Sequence, residues 1–176
     1  MSITFETKLS EKIQGLRIIT PSVFEECRGS IWTSYNTDQL EKFLPEDLFF
    51  KHDKFSCSKQ NVLRGIHGDN KSWKLVSCIS GSIMQVVVDM RPLSSTYLAH
   101  ECFDLGTHNH QMILIPPKLG NAFYVSSESA IYHYKLAYQG DYADFDEQFT
   151  VGWDDPRLKI NWPTLNPILS ERDSRL

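Results

Sequence analysis

Residues 61–74, NVLRGIHGDNKSWK, place an arginine and a histidine three residues apart around a glycine, with a lysine where apolar sequence resumes. An imidazole with a pKa near 6.5 takes or gives a proton at physiological pH. An arginine fork binds phosphate or carboxylate oxygens in bidentate fashion. Arg64, His67 and Lys74 would together suit acid–base work on an anionic small molecule. Further chemistry-bearing residues lie in AIYHYK (130–135), with Tyr134 before Lys135, and in ILSERD (168–173), with Glu171, Arg172 and Asp173. THNHQ (107–111) has a His-x-His spacing that puts His108 and His110 on one face of a strand. That stretch is polar and turn-like, with no carboxylate at an evident spacing, so it does not by itself make a metal site.

Strands must position these residues. Short runs rich in Val, Ile, Thr and aromatic residues recur between Gly, Pro, Asn, Asp and Ser, at 15–19, 30–36, 49–58, 61–67, 74–80, 82–91, 97–104, 111–115, 121–126 and 130–138. Gly81 and the Ser127-Glu128-Ser129 stretch read as hairpin turns. Only 38–43 has a helical pattern, and the Pro-punctuated C-terminal stretch suits short helical turns. Short strands at roughly 8–12-residue spacing predict an all-β fold, an antiparallel sandwich or jelly-roll barrel whose inward side chains line a cavity.

Alternation puts Leu63, Gly65 and His67 on one face and Val62, Arg64 and Ile66 on the other. Arg64 and His67 can share a cavity only if the strand bulges, and Gly65 is the residue that would permit it. Along 130–138, Tyr132, Tyr134, Leu136 and Tyr138 share one face, and His133 and Lys135 take the other. Plainer readings compete. A lone strand histidine is commonly a hydrogen-bonded structural residue, and tyrosines spaced by two commonly pack a core or hairpin. Spacing alone leads to a β-barrel with an acid–base pocket as one open reading, and no further.

The chain's 176 residues suit one domain, 1–176, and its 41% hydrophobic and 12% aromatic content suits a real core. A formal net charge of −4 gives no electrostatic reason to expect nucleic acid. MSITFETKLSEK lacks the features of a signal peptide, and no apolar run reaches the roughly 18–20 residues that span a bilayer. Cys27, Cys57, Cys78 and Cys102 are widely spaced without a CxxC, which points to reduced thiols in a cytoplasmic protein rather than to zinc.

Seven ordered segments carry a more specific signal: VFEECRGSIWTSYN (23–36), VLRGIH (62–67), KLVSCISGSIMQVVVDMR (74–91), ILIPPKLGNAF (113–123), AIYHYK (130–135), WDDPRLKINWP (153–163) and LSERD (169–173). In order and spacing they resemble the dTDP-4-dehydrorhamnose 3,5-epimerase family, cupin-type jelly-roll enzymes acting on 4-keto nucleotide sugars. The HGD, GNAFY and YQGDY stretches are similar to a subgroup that epimerises GDP-linked 4-keto heptoses for bacterial capsule polysaccharide. The resemblance implies His67 as general base, oriented by Asp173, and Tyr134 as proton donor from the opposite face. It places Lys74 at the keto oxygen and Arg64 and Arg28 on the diphosphate, and implies no metal or organic cofactor. It further implies a homodimer in which an N-terminal strand reaches the neighbouring barrel, bringing Arg28 and Thr33 to the partner's site.

Departures from the family pattern also carry information. Asn121 stands where the family has a second histidine, and Gln85 where it has an aspartate on the central strand. HDKFS (52–56, with His52 and Lys54) and SIWTS (30–34) replace stretches that hold thymidine and deoxyribose, which argues for another nucleotide carrier. Gln139 and Gly140 replace an aromatic that covers the sugar, leaving room for a larger one. The expected activity is inversion of C3 and C5, or of C3 alone, in a nucleotide-linked 4-keto sugar. The alternatives are a 3,4-ketoisomerase and a non-catalytic sugar-nucleotide or metal-binding module.

Overall fold

The computed structural model describes residues 3–175. A six-stranded antiparallel sheet has the order β1 (Phe5–Leu9), β2 (Arg17–Pro21), β10 (Met112–Ile115), β7 (Trp73–Ser80), β12 (Ser129–Ala137), β5 (Phe50–Lys59). A five-stranded sheet has the order β13 (Phe149–Thr150), β6 (Leu63–Gly68), β11 (Leu119–Val125), β8 (Ser82–Asp89), β9 (His100–Gly106). β3 (Val23–Glu26) and β4 (Gly29–Trp32) form a separate hairpin. The all-β sandwich expected from strand spacing is the observed fold.

Alternating side chains build three apolar layers, as a two-sheet sandwich requires. Between the sheets, Val76, Cys78 and Tyr132 of the larger one meet Ile83, Val87, Phe123 and Val125 of the smaller. The outer face of the five-stranded sheet buries Leu63, Ile66, Val86 and Tyr124 under Leu158 and Trp162 of the C-terminal segment. The outer face of the six-stranded sheet buries Ile19, Leu75 and Leu114 under Leu40 and Leu44. Those two leucines come from α1 (Thr37–Leu40) and the 3-10 turn that follows, capped by the Asn36 side chain. The pattern at 38–43 is thus helical for barely a turn before it tightens.

Two expected hairpins are corners instead. β7 and β8 flank Gly81 but belong to different sheets, as do β11 and β12 around Ser127-Glu128-Ser129. The two corners pack on each other: a Cβ at Gly81 (φ +80°) would lie 2.1 Å from the Ser129 carbonyl oxygen. Turn chemistry marks a reversal but not the sheet that receives the next strand. The 30–36 strand ends at Trp32, and β1, β3 and β13 lie outside the expected strands. They are short, mostly exposed elements with weak apolar alternation. In the C-terminal stretch, punctuated by Pro163 and Pro167, the helical geometry is a single turn in which the Ser174 amide donates to the Ser170 carbonyl. Among the described residues no helix is long and apolar enough to cross a membrane.

β6 contains the expected bulge. Asn121 of β11 pairs with His67 and Phe123 with Arg64, so one extra residue of β6 is taken up between these pairs. Leu63 and Ile66 therefore both face the outer layer, and Arg64 and His67 both face the space between the sheets. Gly65 makes this possible at φ +123°, with room for no more than hydrogen: a Cβ there would lie 2.5 Å from the Ala122 Cβ and 2.6 Å from the Asn121 carbonyl oxygen. Gly65→Ala is expected to cost more than the ~1 kcal/mol associated with a left-handed conformation alone. Gly140→Ala, at φ +68° in open space, is the matched control. Urea midpoints that shift equally would show that the contacts at Gly65 do not constrain the bulge.

Candidate active site

A cavity of about 210 Å³ opens between the sheets. Its five-stranded wall contributes Arg64, His67 and Asn121, and its six-stranded wall contributes Lys74, Tyr132 and Tyr134, with Ser170 and Asp173 arriving from the C-terminal turn. A larger, shallower groove of about 600 Å³ over β8 and β9 includes His108, Asp104 and Cys102 but none of the residues to which the resemblance gives a catalytic or binding role. Chemistry, not size, selects the smaller cavity.

His67 donates through Nε2 to Asp173 Oδ1 at 2.5 Å, which leaves Nδ1 as the free lone pair. Asp173 is buried, and its other oxygen accepts from Ser170 Oγ at 2.9 Å. Burial alone would raise its pKa, but hydrogen bonds from His67, Ser170 and the Gly65 backbone hold it below the ordinary carboxylate value. Backbone pairing of the C-terminal segment delivers this carboxylate. Ile168 bridges in parallel to Val62, its amide donating to the Asn61 carbonyl at 2.7 Å. Arg172 then ties the turn to β13 by donating to Thr150 Oγ1 at 2.8 Å.

Lys74 opens the inward face of β7, and Asp69 lies 3.3 Å from its Nζ. Burial pulls the Lys74 pKa below the ordinary lysine value, with Asp69 opposing. Asp69 is anchored by the amides of Lys71 (3.0 Å) and Ser72 (2.6 Å). The lysine is therefore a positioned, largely dehydrated charge. Arg64 donates through Nε to Ser58 Oγ at 3.0 Å, leaving its terminal nitrogens for a ligand.

Tyr134 stands on the same sheet as Lys74 and faces Arg64 and His67 from the opposite side of the cavity. Burial raises its pKa, Tyr142 adds to the rise, and the nearby cations Lys54 and Arg64 oppose it. Lys54 lies 3.9 Å from the centre of the Tyr142 ring. His52 packs edge-on to Tyr138 and Tyr142, with its Nδ1 3.0 Å from the Tyr138 hydroxyl. His52 and Lys54 thus belong to the rim, held through Tyr142, which itself lines the cavity. The space expected from Gln139 and Gly140 is partly taken by this tyrosine, two residues further along the chain.

Other residues singled out in the sequence lie away from this cavity. Arg28 is exposed at the tip of the β3–β4 hairpin, paired with Glu26, and Thr33 follows that hairpin; neither lines the cavity of its own chain. His108 and His110 lie in the turn between β9 and β10, not on a strand. His108 pairs with Asp104 at 3.4 Å and His110 stacks on Trp32 at 3.9 Å. Among the described residues no three His, Cys, Asp or Glu side chains converge as metal ligands would. His133 is the structural histidine of its strand, 2.6 Å from Asp53 and 3.3 Å from Ser77 on the outer face.

Motif spacing also passes over Asp69, Ser58, Ser170 and Tyr142. Asp69, Ser170 and Tyr142 sit within quoted stretches (HGD, LSERD and YQGDY), but the cavity residues they serve, Lys74, His67 and Tyr134, lie on other elements.

The model of the family described as dTDP-4-dehydrorhamnose 3,5-epimerase matches residues 10–176. The chain belongs to that family. It is 34% identical over 169 residues to the dTDP-4-dehydrorhamnose 3,5-epimerase of Escherichia coli strain K12, covering 94% of this chain and 90% of that one. It is 32% identical over 164 residues to a dTDP-4-dehydrorhamnose 3-epimerase of Streptomyces niveus, covering 92% and 78%. The crystal structure of a dTDP-6-deoxy-D-glucose-3,5-epimerase from Legionella pneumophila Philadelphia 1, in complex with dTDP-4-keto-L-rhamnose, superposes with a TM-score of 0.86 at 31% identity, covering 98% and 90%. The protein is an enzyme of the epimerase class, and the cavity between its sheets is the candidate active site.

If Asp173 sets the imidazole tautomer, Asp173→Asn would offer an amide N–H to Nε2 and leave Nδ1 protonated and useless as a base. Epimerisation kcat should then fall by about 10²-fold or more with the protein still folded. An unchanged kcat in a variant with unchanged circular dichroism would remove Asp173 from the machinery.

Proposed function

We propose that the protein inverts C3 and C5 of a nucleotide-diphosphate 4-keto sugar, with His67 as base, Tyr134 as acid and Lys74 as the counter-charge. One observation carries the reading: the imidazole, with its carboxylate partner, and the phenol line one cavity from opposite sides, His67 on the five-stranded sheet and Tyr134 on the six-stranded one. Inversion needs a proton removed from one face of a carbon and returned to the other.

A 4-keto group acidifies the hydrogens on C3 and C5, because the electron pair left behind spreads onto the ketone oxygen. Nδ1 of His67 takes the proton, and Asp173 stabilises the imidazolium that forms. The enolate oxygen is met by Lys74, a donor positioned before the charge develops; losing one such donor typically costs about 3–4 kcal/mol. Tyr134 gives its hydroxyl proton to the opposite face of the carbanion carbon, and Lys54 and Arg64 stabilise the phenolate left behind. Exchange with water then reprotonates Tyr134 and deprotonates His67, resetting both for the second carbon. The free nitrogens of Arg64 suit the diphosphate, and no step needs a cofactor.

We take the substrate to be a GDP-4-keto-heptose for capsule polysaccharide. The changed carrier-contact stretches at 30–34 and 52–56 and the neutral Asn121 support this choice. A dTDP-linked 4-keto-6-deoxy sugar is the second reading, favoured by the names of the relatives, and the 3-epimerase of S. niveus favours inversion at C3 alone. The exposed thiols of Cys27, Cys57 and Cys102 suit the reducing cytoplasm.

The decisive measurement is deuterium uptake from D2O, followed by proton NMR, with GDP-4-keto-heptose and dTDP-4-keto-6-deoxyglucose offered separately to the parent and to His67→Asn. Exchange at C3 and C5 of the GDP sugar, lost in the variant, is expected. Exchange of the dTDP sugar alone would correct the carrier, and exchange at C3 alone would make the protein a 3-epimerase. Binding without any exchange would leave a binding module.

We further propose a homodimer in which the β3–β4 hairpin of one copy reaches the other's cavity. The hairpin exposes Val23, Phe24 and Ile31 and leaves Arg28 far into solvent. Sedimentation should give twice the chain's 20.3 kDa, and Arg28→Ala should raise KM. A monomer at every concentration would end this proposal.

A further inference from the structure

Asn121 pairs with His67 across β11 and β6 and lines the cavity beside it. Behind it lies Gln85, fully buried on β8. Gln85 Nε2 donates to the Val86 carbonyl oxygen at 3.1 Å and to Asn121 Oδ1 at 2.6 Å. The buried Tyr132 hydroxyl donates to Gln85 Oε1 at 2.9 Å and lies 3.2 Å from Asn121 Oδ1.

This network has only one polarity. A backbone carbonyl can only accept, so the Val86 oxygen fixes which end of Gln85 is the amide nitrogen. That nitrogen then requires an acceptor from Asn121, which turns the Asn121 oxygen inward. The Nδ2 group, with two donor hydrogens, is left for the cavity. The reverse orientation would set two oxygens against each other in a buried site, at the cost of an unmet acceptor.

We propose that Gln85 is a positioning residue that locks the Asn121 amide with its Nδ2 toward the cavity, where it donates to a sugar oxygen beside the carbon that His67 deprotonates. The two family departures, at 85 and 121, are thus one exchanged pair rather than two separate losses. A histidine–carboxylate pair would carry a charge that changes with pH. The amide pair offers a neutral donor at every pH, and it selects sugars with an acceptor oxygen at that point. The inference rests on the epimerase reading of the same cavity.

Steady-state kinetics on Asn121→Asp, Asn121→His, Gln85→Met and the Asn121→Asp/Gln85→Met double variant test it. The carboxylate introduced by Asn121→Asp would accept from Gln85 as the asparagine does but present an oxygen to the cavity. The imidazole introduced by Asn121→His would accept through one ring nitrogen and donate through the other. We expect Asn121→Asp to lose about tenfold or more in kcat/KM, with Asn121→His retaining clearly more and gaining a new pH dependence between about 5 and 8. Gln85→Met should also lower kcat/KM and add little in the Asn121→Asp background, since both changes remove the same donor. Parental kcat/KM in Asn121→Asp, equal losses in the Asn121→Asp and Asn121→His variants, or fully additive losses in the double variant would overturn the proposal. Should Gln85→Met fail to fold, the two single substitutions of Asn121 decide the matter alone. A parent that turns over neither sugar would instead defeat the epimerase reading. Calorimetric affinities of the two Asn121 variants for the same sugar nucleotides would then judge the donor separately.

Discussion

The site depends on one extra residue in one strand. A regular β6 would send Arg64 and His67 to opposite faces, because successive side chains alternate. The register break between the Asn121 and Phe123 pairings absorbs Gly65 and restores both to the cavity, while Leu63 and Ile66 stay in the outer layer. A side chain at 65 would strike the backbone of β11. The glycine is therefore a packing requirement as well as a conformational one, and Arg64 and His67 share the cavity because of it.

The C-terminal segment couples stability to chemistry. Leu158 and Trp162 seal the outer face of the five-stranded sheet, and fully burying a large apolar side chain contributes roughly 1.5–3 kcal/mol. That burial holds the chain on course until Ile168 joins β6 and Asp173 reaches His67. The Asp173 carboxylate is thus carried by a segment that packs and pairs elsewhere, which leaves its own hydrogen bonds free to orient the imidazole.

Each charge in the cavity is set by its own surroundings. Lys74 and Asp69 form a buried pair with further backbone donors to the carboxylate, the condition under which such a pair is tolerated. Tyr134 is half-buried between cations that favour its phenolate. The third wall, at Asn121 and Gln85, carries no formal charge, so His67 faces no competing cation across the β6–β11 pair. These environments give similar polar side chains different roles, as the contrast between His67 in the cavity and His133 on the outer face shows.

Much of this was legible from residues alone. Alternation identified the all-β class, put Tyr132, Tyr134 and Leu136 on one face, and made the bulge at Gly65 a condition of the site; the ordered motifs pointed to the family. These signals are local, set by side-chain periodicity and backbone freedom within a few residues. Tertiary structure decided what local signals cannot: that the turns at Gly81 and 127–129 are corners between sheets, that Tyr142 enters the cavity, and that Arg28 does not line its own chain's site. It also joined His67 to Asp173 across 106 residues and Gln85 to Asn121 across 36. Such partners are chosen by which faces must be buried together and which buried polar atoms must be paired, a constraint that exists only once both sheets are assembled.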